Sequence, residues 1–115
     1  MGVAQQESRA DVLDVNVGLP GIDEPQMMVD VVKELQGVLD LPLQIDTSDP
    51  VAMERALRIY NGKPLINSVN GKKDVMEQIF PLVKHYGGVV VALALDGNGI
   101  PETADGRLAV ARKIY

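Results

Sequence analysis

Leu43-Gln44-Ile45-Asp46-Thr47-Ser48-Asp49-Pro50 decides how the chain folds. Leu43 and Ile45 fall on one side of an extended strand, and Gln44 and Asp46 fall on the other. Asp49 is a good N-cap, and Pro50 suits the first helical position because its missing N–H has no partner to lose there. Asp46 therefore stands at the carboxyl end of a strand, just before a helix. In α/β proteins ligands gather at that end.

The same device recurs on both sides. Upstream, Ala10 to Gly18 contains a strand in which Leu13, Val15 and Val17 alternate with Asp14 and Asn16. The loop Gly18-Leu19-Pro20-Gly21-Ile22 follows, and Asp23 can cap a helix from about Glu24 to Leu39, with Met28, Val31, Val32, Leu35 and Leu39 as its apolar stripe. Downstream of Pro50, a helix reaches about Tyr60, with Met53, Leu57 and Tyr60 on one face and Asn61-Gly62 as its stop. Pro64 to Asn70 is a third strand, and a helix from about Lys73 to Tyr86 turns Val75, Ile79, Leu82 and Val83 inward, bent at Pro81. The run Val89 to Asp96 is nearly all apolar, which predicts a parallel strand buried on both faces. A last helix from about Ala104 to Tyr115 places Leu108, Ala111 and Ile114 inward. The order is βαβαβαβα, with strand spacings of about 20–30 residues, as parallel crossovers need.

Composition narrows the function. The 115 residues suffice for one domain over residues 1–115 with one core, and Pro and Gly are too few for disorder. A net charge of −5 without a basic cluster disfavours nucleic acid or an anionic membrane as partner. Cysteine is absent, so disulfides, thiolate metal sites and cysteine nucleophiles are excluded. The first ten residues lack the basic-then-apolar pattern of a signal peptide, and no apolar run approaches the roughly 20 residues of a membrane span. The cytoplasm is the expected compartment.

In a parallel sheet all strand ends of one kind fall on one rim. Asp14, Asn16, Asp46, Asn67, Asn70 and Asp96 would meet there. Carboxylates accept from N–H donors, and Asn pairs with adjacent donor and acceptor atoms, so the set suits a neutral heterocycle better than a polyanion. Local turn roles compete for Asp14, Asn70 and Asp96. Asn67 stands out because Asn is disfavoured inside strands and costs energy if buried unpaired. Asp96-Gly97-Asn98-Gly99 lacks the later carboxylates of a calcium loop. A magnesium site built on Asp14, Asp46 and Asp96 is the less favoured reading, and no metal is expected. His85 reads as a solvated residue at a helix end, and Met27 and Met28 as core filler. No residue stands out as catalytic.

Three ordered motifs carry a family resemblance: Ala10-Asp11-Val12-Leu13-Asp14-Val15-Asn16-Val17-Gly18, Gln44-Ile45-Asp46-Thr47-Ser48-Asp49-Pro50 and Pro64-Leu65-Ile66-Asn67-Ser68-Val69-Asn70-Gly71. Together they resemble the pterin-binding domain of cobalamin-dependent methionine synthase and, more loosely, corrinoid methyltransferases and dihydropteroate synthase. The likeness continues through Val91 to Pro101 and Ala111-Arg112-Lys113. The resemblance implies a pterin held by Asp46 and Asn67, with Asp14, Asn16 and Asp96 lining the same pocket. It implies 5-methyltetrahydrofolate as substrate and a methyl transfer to cobalamin carried by a corrinoid-binding partner, towards homocysteine.

The resembled fold is a TIM (β/α)8 barrel, whereas this pattern supplies four strands and four helices: an α/β, parallel (βα)4 half of such a barrel. The resemblance implies that the barrel's first strand and its last three are not represented. Two open sheet edges then predict a homodimer, or collapse into a flavodoxin-like sandwich. The rival readings are an inactive half-barrel scaffold, a flavodoxin-like domain and a dihydropteroate synthase-like enzyme.

Overall fold

The computed structural model describes residues 2–115. Its elements run α1 (Gly2–Glu7), β1 (Leu13–Val15), α2 (Glu24–Val38), β2 (Leu43–Asp46), α3 (Pro50–Ile59), β3 (Leu65–Asn70), α4 (Lys73–Tyr86), β4 (Val89–Leu93) and α5 (Ala104–Ile114). The sheet is parallel throughout, in the order β1-β2-β3-β4. A doubly wound, flavodoxin-like sheet needs that order to reverse at a switch point. It never does, so the flavodoxin-like alternative falls. The protein has an α/β fold, consistent with part of a TIM barrel.

The helix starts form for local reasons. The Asp23 carboxylate accepts from the Gln26 N–H at 3.3 Å, Asp49 from Val51 at 2.9 Å, and the Thr103 hydroxyl from Gly106 at 3.0 Å. Proline occupies the first turn of both α2 and α3, where its missing N–H costs nothing. α4 starts without a side-chain cap of its own and continues through Pro81.

Strand register sorts side chains into rows. Val15, Ile45, Ile66 and Val90 form one row facing the helices, with Leu13 and Leu43 in the row before it. Met28 and Val32 of α2, Ala52, Met53, Ala56 and Leu57 of α3 and Ile79 of α4 close over them. The opposite face carries Asp14, Gln44, Leu65 and Val89 in one row, then Asp46, Asn67 and Val91. Among the described residues no helix packs on that face, and their core lies on the other side. The radius of gyration reflects this openness, at 15.2 Å against roughly 13 Å for a closed domain of this length.

Several sequence expectations need correction. The run from Val89 is not buried on both faces, since Val89, Ala92 and Leu93 are all exposed. Its apolarity suits a covered face that these residues do not supply. In α5, Leu108 and Ala111 point outward, and Val110 is the buried residue. The helix leans on the turn at Gly71, where a Cβ would sit 2.9 Å from the Val110 Cγ1 and 2.9 Å from the Leu95 carbonyl oxygen. That contact selects the Gly106, Val110 and Ile114 stripe. Met28 fills the core, but Met27 is exposed. β1 is shorter than the alternation promised, ending at Val15.

α1 was not legible in the sequence, being six residues long with no buried side chain. It is held at its ends. Gly2 lies against Leu39, Leu35 and Leu13, and the Gln6 Oε1 accepts from the Asp40 N–H at 2.9 Å.

Candidate functional site

The strands deliver polar side chains to the open face near their carboxyl ends. Asp46 and Asn67 are register partners on β2 and β3, so they stand side by side. Asn16, one residue beyond β1, donates from Nδ2 to the Asp46 Oδ2 at 3.4 Å. Asp14 lies one row deeper, where its Oδ1 accepts from the Gln44 Nε2 at 2.5 Å. Register also shifts between Asn67 and Val69, so Ser68 is an additional residue on β3 beside the site. Bulges of this kind re-aim side chains near functional sites.

Four of the five proposed ring-binding residues thus converge: Asp14, Asn16, Asp46 and Asn67. The fifth, Asp96, lies in a separate turn. Its Oδ1 accepts from the Asn98 N–H at 2.9 Å, and its backbone pairs with Gly99. Asn70 is also used locally, accepting from the Lys72 N–H at 2.9 Å at the start of α4. That bond compensates for the missing side-chain cap. His85 is exposed, its ring edge-on to Tyr86.

Burial raises the Asp46 carboxyl above its ordinary pKa of 3.8, and the nearby Asp14 charge raises it further. The hydrogen bond from Asn16 opposes that rise by favouring the carboxylate. Two acids share one mouth, and the deeper-set fold favours a proton on Asp46 more than water does.

A cavity of about 510 Å³ opens over this rim, lined by Asn16, Gly18, Glu24, Asp46, Thr47 and Ser48 among others. Small-ligand clefts commonly span roughly 300–1,000 Å³. A smaller recess of about 170 Å³ shares Asp46, Thr47 and Ser48 and adds Asn67, Ser68 and Asn70. Neither lining includes Lys or Arg. Among the described residues, no group of three or more His, Cys, Asp or Glu is placed to hold a metal ion. None of their helices is long and apolar enough to cross a membrane.

Sequence reasoning passed over two members of this rim. Thr47 is buried, and its hydroxyl donates to the Glu24 Oε1 at 2.7 Å. Neither residue interrupts a periodic pattern, and their partnership spans 23 positions, so only the folded chain reveals it.

A singly wound parallel sheet with acids and amides at its carboxyl-end rim defines an α/β protein of the kind from which TIM barrels are built. The family described as "Pterin binding enzyme" matches residues 2–112, and the chain belongs to that family. It is 30% identical over 115 aligned residues to the methylcorrinoid:tetrahydrofolate methyltransferase of Eubacterium limosum. The alignment covers 96% of this chain and 41% of that relative.

Proposed function

We propose that this chain is the pterin-binding portion of a folate-dependent corrinoid methyltransferase, of the methionine synthase kind. The substrate would be 5-methyltetrahydrofolate, and the acceptor a cobalamin carried by a separate corrinoid-binding domain or protein. The observation that carries this reading is the paired placement of Asp46 and Asn67 under a cavity without cationic residues. A carboxylate accepts from the amino and ring N–H groups of a pterin, and an amide matches its neighbouring donor and acceptor atoms. Asn16, just beyond β1, favours the Asp46 carboxylate by donating to it, whereas the Asp14 charge favours its protonated form.

The chain's residues would bind and orient the ring and hold a proton close to it. Preorganised hydrogen bonds that strengthen as charge develops on N5 lower the barrier without any covalent step by the protein. The corrinoid supplies the other end of the methyl transfer. The relative's name gives the direction from methylcorrinoid to tetrahydrofolate. One ring-holding site serves either direction. A dihydropteroate synthase-like reaction is less well supported, because its pyrophosphate leaving group needs cations that these linings lack.

Calorimetric titration of the chain with 5-methyltetrahydrofolate tests the reading. Saturable binding is expected, weakened roughly three- to tenfold by Asn67→Ala, the usual value of a neutral hydrogen bond. A folded chain that gives no heat, or an Asn67→Ala variant that binds unchanged, would overturn it.

Assembly follows from the uncovered face. β1 and β4 are the edges of the sheet, and among the described residues no helix lies over Leu65, Val89, Val91 and Leu93. Two copies paired β4 to β1 would bring together eight strands, enough to close a barrel whose interior side chains can fill. Sedimentation of the 115-residue chain is expected to give a dimer at micromolar concentration. A monomer at every concentration would refute the pairing.

A further inference from the structure

Glu24 and Thr47 lie at the junction of two strand-end loops. Thr47 directly follows Asp46, and Glu24 opens α2, just after the β1–α2 loop that begins at Asn16. The Thr47 hydroxyl donates to the Glu24 Oε1 at 2.7 Å and accepts from the Asp49 N–H at 3.1 Å. Its backbone N–H donates to the Asn67 carbonyl at 3.2 Å. On its other side, the Glu24 carboxylate reaches the Asn16 turn. A Cβ built on Gly18 would meet the Glu24 Oε1 at 3.4 Å and the Asn16 Oδ1 at 3.3 Å. That same Asn16 Oδ1 accepts from the Gly18 N–H at 2.9 Å.

We infer that Glu24 and Thr47 form a clamp between the β1 and β2 loops that positions Asn16 and Asp46 for ring recognition. The inference rests on the pterin reading for what the positioned groups bind, but not for the clamp itself. Neither clamp residue needs to touch the ring. A charge-assisted hydrogen bond to a buried hydroxyl is directional, and Thr47 reaches three partners, on α2, at the N-cap of α3 and on β3. Losing it frees the loop immediately after Asp46. The Asp46 carboxylate then swings towards water, away from the hydrogen bond with Asn16 and from the charge of Asp14.

Thr47→Val keeps the shape and the net charge but removes the hydroxyl, and Thr47→Ser retains it. The experiment follows the Asp46 carboxyl by carbon NMR across a pH titration of the ligand-free chain, with thermal melts to confirm folding. The charge that acts on Asp46 is that of Asp14, and Glu24 lines the same cavity. The further charged groups of the adjacent helices are Asp30, Lys33 and Glu34 on α2 and Glu54, Arg55 and Arg58 on α3, and Thr47→Val alters none of them. The titration midpoint of Asp46 is expected to fall towards the ordinary carboxylate value in Thr47→Val and to stay near the wild-type midpoint in Thr47→Ser. Binding of 5-methyltetrahydrofolate should weaken about tenfold in Thr47→Val only. If Thr47→Val does not fold, Glu24→Met breaks the clamp from the other side and is read against Glu24→Gln, which removes the same charge but retains the acceptor oxygen, so that equal midpoints in those two variants overturn the clamp. Identical Asp46 midpoints in wild type and the broken-clamp variant would overturn the clamp, as would Thr47→Ser behaving like Thr47→Val. A midpoint that moves as expected in a chain that binds no folate would uphold the clamp and overturn the pterin reading instead.

Discussion

Asp46→Ala is expected to weaken 5-methyltetrahydrofolate binding roughly 10- to 150-fold, the range of about 1.5–3 kcal/mol carried by hydrogen bonds to a charged group. Of the converging polar residues, it alone has both a register partner at the strand ends and a second-strand donor, Asn67 and Asn16. Its stability effect should run the other way. The folded state raises the Asp46 pKa, through burial first and the Asp14 charge second, so the folded chain holds that proton more tightly than the unfolded chain does. By linkage, what Asp46 contributes to stability is greatest below its ordinary value of 3.8 and declines as pH rises through the raised folded value. Around neutral pH the ionised group is a small burden. Asp46→Ala should therefore melt at or slightly above the wild-type Tm at pH 7, and lose that advantage in acid. Calorimetry for binding and melts at the two pH values separate the effects. A large fall in Tm at pH 7 would make Asp46 a structural residue and remove the main support of the site.

The second large effect concerns the scaffold. Ile45→Ala should cost about 2–5 kcal/mol, because it deletes a branched side chain from a site that cannot collapse to fill the gap. Ile45 is 0% exposed and sits mid-row between Val15 and Ile66, under α2 and α3. Domains of this size are stable by only about 5–15 kcal/mol, so a Tm lower by roughly 10 °C or more is expected. Val89→Ala makes the comparison. In the unpaired chain Val89 is 52% exposed on the uncovered face, so below the concentrations at which copies pair its truncation should change stability by under about 1 kcal/mol. Chemical denaturation of both variants measures the difference. Equal losses would mean that the inner face is covered in solution.

Much of this architecture was written in local patterns. The alternation of Leu43-Gln44-Ile45-Asp46 gave both the strand and its two faces, and Asp49-Pro50 marked the helix start to the residue. Asp46 and Asn67 were legible for the same reason: side-chain period and strand polarity determine where they point. What escaped depended on contacts distant in sequence. The inner face of α5 differs from the one its apolar residues suggest because its partner is the Gly71 turn, and apolarity alone does not distinguish Leu108 from Val110. The Val89 run has the composition of a strand covered on both faces, whereas covering needs elements that the described residues do not place there. Asp96 looked equivalent to Asp46 at a strand end, but two glycines nearby let its loop close on itself.

The consecutive strand order has a consequence for how the molecule comes apart. Each well-populated contact joins elements that are close neighbours along the chain: β1 with β2, β2 with β3, β3 with β4, α2 with α3 and α3 with α4. Such a chain is wired as a nearest-neighbour array, in which every unit is supported from two sides except the units at the ends. Opening should thus be graded, beginning at β1 and β4 and reaching β2 and β3 last. Asp46 and Asn67 belong to those inner strands, so the pair proposed to hold the ring would be the last part of the rim to lose its geometry, while Asn16 would detach early. The molecule could fray at its margins and still keep the two residues on which the proposed recognition rests.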